Sequence, residues 1–159
     1  MKTLLIEGAT FMAKPVKKYL EDAGNDVIAI VGIQSLTPLV GIDLDGQPLA
    51  LDAQQIDVAL VGNGHNQILA PQVVKHLKSL GVQCVACSAM ENDNAEMVSA
   101  GAQLALSKGV FLAAMYTGSL SMQDAINPTP ELEAAMQKLS LRLKEDVDFR
   151  RALDRVIMP

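Results

Sequence analysis

Short runs of apolar residues without alternating polar positions recur along the chain, each close to a glycine. The runs lie at residues 4–6, 27–31, 58–61, 82–86 and 104–106. Strands that are buried on both faces, as in a parallel sheet covered by helices, have this character. The pattern therefore predicts five strands of a parallel sheet.

Amphipathic stretches with helical spacing lie between most of these runs. The first covers residues 11–23 and ends before Gly24. The second has a first-turn proline at Pro71 and ends before Gly81, and a short polar helix is predicted at residues 92–100. The alternation of strands and helices predicts a doubly wound α/β sandwich.

One connection lacks a helical period. Residues 32–55 contain two apolar segments around Asp45 and Gly46, which predicts a β-hairpin with a tight turn. Pro48 confines the second segment to an edge of the sheet. Residues 43–46 begin like a calcium loop, but the later ligands are missing, so the hairpin is the better interpretation.

The C-terminal region is predicted to form two helices. Thr129 can cap the first, and Asp148 can cap the second. The first helix has an apolar stripe of Leu132, Met136, Leu139 and Leu143. We therefore expect an α/β domain at residues 1–127 and a helical extension at 128–159 that packs on the same domain.

Composition narrows the class of protein. Hydrophobic residues make up 50% of the chain and charged residues 19%, which is typical of a folded domain. The net charge of −5 argues against nucleic acid as a partner, and no apolar run is long enough to span a bilayer.

The N-terminus and the cysteines bear on the cellular compartment. Glu7 ends the first apolar stretch, so no signal peptide is expected. The two cysteines fit a reducing cytoplasm.

The segment from Val85 to Lys108 carries the strongest signal. It reads Val-Ala-Cys-Ser-Ala-Met at 85–90 and continues through Ala-Gly-Ala at 100–102 to Leu-Ser-Lys at 106–108. It resembles the fourth strand, hydroxyl step, fourth helix and fifth strand of the receiver domain of bacterial response regulators. The resemblance covers roughly residues 1–110. It implies a flavodoxin-like, receiver-like sheet of five parallel strands, with a hairpin in place of the second helix.

The residues at the receiver's phosphorylation pocket differ from the family pattern. The phosphoacceptor position is Gly62 and the paired acids are reduced to Glu7, whereas the hydroxyl and lysine positions are kept as Ser88 and Lys108. Phosphoryl transfer to a receiver needs a carboxylate nucleophile and carboxylates that hold Mg²⁺. The resemblance therefore implies an atypical receiver, or pseudo-receiver, with no catalytic residue, metal or cofactor. Two further positions of the family pattern also differ. The proline that usually follows the lysine is Gly109, and the switch aromatic three residues before the lysine is Ala105.

Glu7, Ser88 and Lys108 are predicted to meet at the carboxyl edge of the sheet, where open α/β folds bind ligands. One interpretation is a pocket for a small molecule or an anion. The other, which we favour, is a vestigial Glu–Lys ion pair. We expect Lys108 to turn toward Glu7, because an unpaired buried charge is costly.

Two other motifs have simpler structural interpretations. Cys84 and Cys87 have the spacing of a metal or redox pair, but residues three apart in a strand point to opposite faces. Two buried structural thiols are therefore expected. Residues 62–65, which include His65, are interpreted as a tight turn, because Gln67 replaces the third glycine of a dinucleotide-binding loop.

The C-terminal helices carry the candidate interaction surface. One apolar stripe should pack on the α/β domain. The remaining apolar residues, Leu141, Phe149 and Leu153, are expected to contact a partner or a second copy. The alternative is an intramolecular cap in which Leu141 is simply an exposed leucine.

These observations favour a cytoplasmic signalling or adaptor protein of the two-component type that acts by protein–protein interaction. Its partner would be a histidine kinase, another regulator or a second copy of the chain. The first alternative is a domain that senses a small molecule or an anion at the carboxyl edge. An enzyme is disfavoured because no nucleophile–base pair is visible.

Overall fold

A sheet of seven strands organises the computed structural model, which describes residues 1–62 and 68–157. The order across the sheet is β4-β3-β2-β1-β5-β6-β7, and the five neighbours from β2 to β7 run parallel. The strands are β1 (Lys2–Ile6), β2 (Asp26–Ser35), β3 (Val40–Asp43), β4 (Pro48–Ala50), β5 (Val58–Val61), β6 (Gln83–Cys87) and β7 (Leu104–Leu106). The five apolar runs form the parallel strands, which confirms the doubly wound fold.

The predicted hairpin forms and joins the sheet, so the sheet has two more strands than the five-stranded parallel core. β3 pairs antiparallel with β2, whose ten residues extend beyond β1 and provide the edge, and β4 pairs with β3. At the turn, Asp43 Oδ1 accepts hydrogen bonds from the backbone N–H groups of Asp45 and Gln47, each at 2.9 Å. Gly46 has φ 82°, a conformation that favours glycine. The Asp43 carboxylate therefore stabilises a hairpin turn.

Helices cover both faces of the sheet. A short 3₁₀ helix at Ala53–Gln55 precedes β5. The α-helices are α1 (Thr10–Asp22), α2 (Ala70–Ser79), α3 (Glu91–Ser99), α4 (Lys108–Tyr116), α5 (Met122–Ile126), α6 (Pro130–Glu145) and α7 (Val147–Ile157). The first three match the helices that the sequence predicts between strands.

Helix α4 has no counterpart in the sequence prediction. It is apolar on nearly every side: Val110, Phe111, Leu112, Ala113 and Ala114 are all buried. A helix without a polar face produces no amphipathic period, and this explains why the pattern missed it.

Among the helices that the structure describes, none combines the length and the apolar character that a membrane span requires.

The sheet separates two apolar cores. One core packs α2, α3 and the hairpin against one face, around Leu4, Ile30 and Leu77. The other packs α1, α4 and the C-terminal helices against the opposite face, around Leu60 and Phe111. Alternate residues of β1, such as Leu4 and Leu5, enter opposite cores, as expected for a strand that is buried on both sides.

The starts of the C-terminal helices confirm one cap and correct another. Thr129 caps α6, because its hydroxyl accepts the backbone N–H of Leu132 at 3.1 Å. The cap of α7 is Asp146 rather than Asp148: Asp146 Oδ1 accepts the N–H of Phe149 at 2.9 Å. The two helices are separated by a single residue, so α7 begins earlier than its apolar pattern suggests.

Both C-terminal helices contribute to the core on the α4 side. Met136 of α6 and Leu153 of α7 are only 3% and 6% exposed. Three further residues of α6 pack half-buried against the same core, as the stripe predicts: Leu132, Leu139 and Leu143. Because α4 is apolar on nearly every side, these helices cover apolar surface that would otherwise meet water.

Replacing Met136 by Ala is expected to destabilise the protein by about 2–5 kcal/mol, because it leaves a cavity beneath α6. Leu141 lies on the same helix but is 55% exposed. Leu141→Ala should therefore change stability by less than about 0.5 kcal/mol. Urea unfolding of the two variants measures the difference, and equally small effects would show that α6 does not pack on the core.

Candidate functional site

The carboxyl ends of the parallel strands bring the predicted receiver-pocket residues to one edge of the sheet. Glu7 follows β1, Gly62 follows β5, Ser88 follows β6 and Lys108 lies two residues beyond β7. β1, β5, β6 and β7 are consecutive neighbours in the sheet. The edge is thus the place where an open α/β fold presents its functional groups.

A buried ion pair joins Glu7 and Lys108, as the sequence predicts. The Lys108 Nζ atom lies 2.8 Å from both carboxylate oxygens of Glu7. The Glu7 side chain is 5% exposed and that of Lys108 is 19% exposed. Glu7 Oε1 also accepts the backbone N–H of Ala9 at 3.0 Å. The carboxylate therefore receives a charged and a neutral donor inside the protein, which offsets its burial.

The space around Gly62, at the phosphoacceptor position, is too tight for a side chain unless its neighbours shift by a few tenths of an ångström. A Cβ atom added there would lie 3.1 Å from Glu7 Oε2 and 3.0 Å from the carbonyl oxygen of Cys87. The Gly62 N–H donates to the carbonyl of Ile6 at 2.9 Å, which holds the backbone close to β1. The carboxylate of Glu7 thus fills the space beside Gly62.

The cleft around the ion pair is almost closed. Its free volume is about 10 Å³, and its walls include Glu7, Gly62, Cys87, Lys108 and Phe111. A cavity needs roughly 10–15 Å³ to hold one water molecule. A phosphoryl group and a hydrated metal ion are both far larger than this space.

The side chains present do not fit the Mg²⁺ ion that phosphoryl transfer to a receiver needs. Mg²⁺ is held by carboxylates and waters in an octahedral arrangement. The carboxylate that follows β1 here is Glu7, and both of its oxygens already contact the Lys108 ammonium group. Among residues 1–62 and 68–157, no group of three or more His, Cys, Asp or Glu side chains is placed to hold a metal ion.

Ser88 does not join Glu7 and Lys108 in hydrogen bonding, although all three lie at the same edge. Its hydroxyl accepts the backbone N–H of Met90 at 3.1 Å, just before α3. Its backbone is held by Asn94, whose amide accepts the Ser88 N–H and donates to the Ser88 carbonyl, each at 3.0 Å. Ser88 therefore helps to fix the start of α3.

Asn94 is a structural residue that the sequence analysis missed. It is 8% exposed, and besides holding Ser88 it donates to the carbonyl of Leu106 at 3.2 Å. One side chain thereby links β6, α3 and the end of β7. The available signal was its spacing: Asn94 lies three residues before buried Met97, so a polar side chain shares the helix's buried face.

The two cysteines lie in different cores and cannot act as a pair. Cys84 belongs to the core beneath α2 and α3, and Cys87 to the core beneath α1 and α4. Burial raises the pKa of each thiol to about 12, with the nearby Glu7 carboxylate adding to the effect at Cys87. Both thiols are therefore protonated and unreactive at neutral pH.

The chain has two histidines, His65 and His76, which are the remaining candidates for functional side chains. Residues 63–67 lie outside the described residues, so His65 and most of the tight turn predicted at residues 62–65 stay a prediction. His76 lies half-buried on α2, within the last turn of the helix.

The candidate interaction residues of the C-terminal helices separate into two groups. Leu141 is 55% exposed, and Val147 at the start of α7 is 42% exposed. Phe149 is half-buried, with the Arg142 guanidinium 3.6 Å from its ring centroid. Leu153 lies in the core and is not available to a partner, because α7 turns this side chain toward α4. Of the three predicted residues, Leu141 alone is largely exposed.

Three large apolar side chains around the carboxyl edge were also missed. Phe11, Leu69 and Met90 are 69%, 65% and 58% exposed. They lie at or just before the first turns of α1, α2 and α3, which follow the neighbouring strands β1, β5 and β6. We call these three residues the apolar rim. Exposed large apolar side chains at this edge are candidates for contact with another molecule.

Solved receiver structures share the architecture. A response regulator from Burkholderia pseudomallei, described with a phosphorylated aspartic acid, calcium ion and citrate, matches with a TM-score of 0.58 and 15% identity; the match covers 99% of this chain and 86% of that one. The receiver domain of a modulated diguanylate cyclase from Desulfovibrio desulfuricans G20 matches with a TM-score of 0.54 and 15% identity, over 79% and 93% of the two chains.

A receiver domain from Colwellia psychrerythraea 34H gives a similar result, with a TM-score of 0.54, 14% identity and coverage of 75% and 95%. No family model and no curated protein sequence matches the chain. At sequence identities of 14–15%, the structural similarity shows the fold alone. The chain has the flavodoxin-like fold of response-regulator receiver domains.

Lys108→Met is expected to destabilise the protein by about 3–5 kcal/mol, because it leaves the Glu7 carboxylate buried without its cation. Adding Glu7→Gln should recover part of this loss, since the buried charge is then removed. Lys17→Met provides a matched control in an exposed ion pair with Glu21, where a change below about 1 kcal/mol is expected.

Urea unfolding of the single and double variants measures the interaction between the two side chains. Strictly additive effects of Glu7→Gln and Lys108→Met would contradict a buried pair.

Proposed function

We propose that this protein is a receiver-like signalling or adaptor protein that is not phosphorylated on aspartate and acts through protein–protein contact. The observation that carries the proposal is the closed pocket: Gly62 replaces the nucleophile, and the Glu7–Lys108 pair fills the space beside it. A receiver with this pocket keeps the scaffold and lacks the groups for phosphoryl transfer.

The proposal assigns no catalytic role to the edge. Glu7 is the buried acid there, and both of its oxygens are engaged by Lys108. A general base must reach the proton that it removes, and this carboxylate faces a cleft of about 10 Å³. The pair therefore acts as a structural element that closes the edge.

Two exposed apolar surfaces support a contact with another protein. One is the apolar rim of Phe11, Leu69 and Met90. The other is the pair Leu141 and Val147, where α6 meets α7. The surface around this pair also includes Lys138, Glu145 and Asp148, so it carries both signs of charge, which permits ion pairs between two copies of the same surface.

We propose that the partner is a histidine kinase, another regulator or a second copy of the chain, met in the cytoplasm. Leu141 is the proposed centre of the contact.

Incubation with acetyl phosphate and Mg²⁺ is expected to leave the intact mass unchanged, because position 62 offers no carboxylate to accept the phosphoryl group. A phosphorylatable receiver domain treated in parallel shows that the reagent is active. A stoichiometric, hydroxylamine-labile adduct of phosphoryl mass on this protein would falsify the proposal.

Leu141→Glu is expected to weaken self-association or partner capture, because it places a charge at the centre of an apolar contact. Light scattering over a concentration series reports self-association, and pull-down from the native cell reports partners. Leu80→Glu is the matched control, since Leu80 is 45% exposed and lies at the opposite end of α2 from the rim.

The two surfaces are distinguished by a second variant, Phe11→Ser combined with Met90→Ser. If this variant loses the contact and Leu141→Glu keeps it, the contact lies at the apolar rim and the assignment to Leu141 is wrong. If neither variant changes any assembly, protein contact through these surfaces is excluded.

A further inference from the structure

A cavity separate from the closed receiver pocket lies between the sheet-covering helices and the C-terminal pair. Its free volume is about 300 Å³, which is within the range of sites for small ligands. It is bounded by Met12 of α1, the start of α4, and residues of α6 and α7. The cavity forms where α6 and α7 pack across the amino-terminal end of α4.

The walls of the cavity are mainly apolar. Met12, Val110, Leu112, Leu143 and Leu153 contribute side chains from four helices. Leu112 and Leu153 are each 6% exposed, so their contribution belongs to the ordered core. A ligand that fills this space must present a hydrocarbon surface.

Cationic groups stand where the cavity meets solvent. Lys144 of α6 and Arg150 of α7 line it, and both residues are exposed. Among the residues that the structure describes, neither forms an ion pair; one Arg150 nitrogen donates to the carbonyl of Leu143 at 3.5 Å. Asp154 also lines the cavity, so the solvent side carries two positive charges and one negative charge.

We propose that this cavity binds a small amphipathic anion, a medium-chain carboxylate, with its hydrocarbon chain among the apolar walls and its carboxylate between Lys144 and Arg150. A free inorganic anion would leave the apolar walls uncovered, and an uncharged hydrocarbon would leave the two cations without a partner. The carboxylate of such a ligand satisfies both parts of the lining.

Lys108 connects this cavity to the closed pocket. Its side chain lines both spaces, with the Glu7 carboxylate on the pocket side. A ligand in the cavity would therefore share the wall residue Lys108 with the closed pocket. The inference does not depend on the protein contact proposed above.

Gly109 offers a way to fill the cavity without disturbing the core. It lines the cavity within the first turn of α4, and a Cβ atom added there meets nothing within 4 Å. Gly109→Leu should therefore fold, and it adds a bulky side chain at a residue that lines the space that the ligand needs. Glycine is also a poor helix former, so the substitution favours α4.

The experiment is a titration with sodium octanoate, followed by two-dimensional amide NMR of the labelled protein. We expect saturable shifts at Gly109, Leu112 and Leu143, and no saturable shifts with inorganic phosphate or 1-octanol. Gly109→Leu should abolish the octanoate shifts while its melting temperature stays at or above that of the unchanged protein.

Removal of the two cations tests the polar part of the site. Lys144→Gln with Arg150→Gln should weaken octanoate binding by about tenfold or more, as expected for lost charge-assisted hydrogen bonds. The matched control is Arg151→Gln with Arg155→Gln, which removes two positive charges from α7 at positions outside the cavity. This control should bind octanoate normally.

The inference is overturned if octanoate gives no saturable shifts, or if folded Gly109→Leu binds it unchanged. It is equally overturned if the control pair weakens binding as much as the Lys144 and Arg150 pair, because the effect is then general charge attraction. None of these outcomes bears on acetyl phosphate reactivity or on the Leu141 contact, so the two proposals fail independently.

Discussion

A carboxylate that is taken out of water needs a cation or several hydrogen-bond donors, and the carboxyl edge of this sheet is arranged around that requirement at Glu7. Lys108 reaches it from beyond β7, across the edge of the sheet, and contacts both oxygens at 2.8 Å. The pair fixes the start of α1 relative to α4, because the same carboxylate accepts the N–H of Ala9. It also fills the volume next to Gly62, where a phosphorylatable receiver would need an open cleft.

The closed pocket and the surrounding surfaces have different consequences for function. A fold hosts many activities, so the receiver-like architecture does not by itself assign one. In this chain the charged groups at the carboxyl edge, Glu7 and Lys108, pair with each other. The large apolar side chains of the apolar rim, in contrast, face solvent. The C-terminal helices add a second exposed apolar surface at Leu141 and a cavity above α4. Contacts with partners and ligands are therefore expected around the ion pair rather than at it.

Much of this architecture could be predicted from sequence, because buried parallel strands and Asp-Gly turns have strong local patterns. The Glu7–Lys108 pair was also predictable, since the order of strands brings their carboxyl ends together and a buried charge needs a partner. Helix α4 escaped prediction because its apolar residues show no periodic polar face, and Asn94 escaped because its role depends on contacts with β6 and β7. Leu153 was assigned to a surface because sequence shows an apolar stripe without showing what covers it; the structure places it in the core.

The most direct test of the account is a crystal structure of the protein soaked with Mg²⁺ and beryllofluoride, which mimics a phosphoryl group on receivers. The account predicts that Lys108 Nζ remains within hydrogen-bond distance of both Glu7 oxygens, with no metal ion or beryllofluoride beside Gly62. A structure in which Glu7 binds Mg²⁺ and Lys108 has moved away would contradict the central claim that the ion pair closes the receiver pocket.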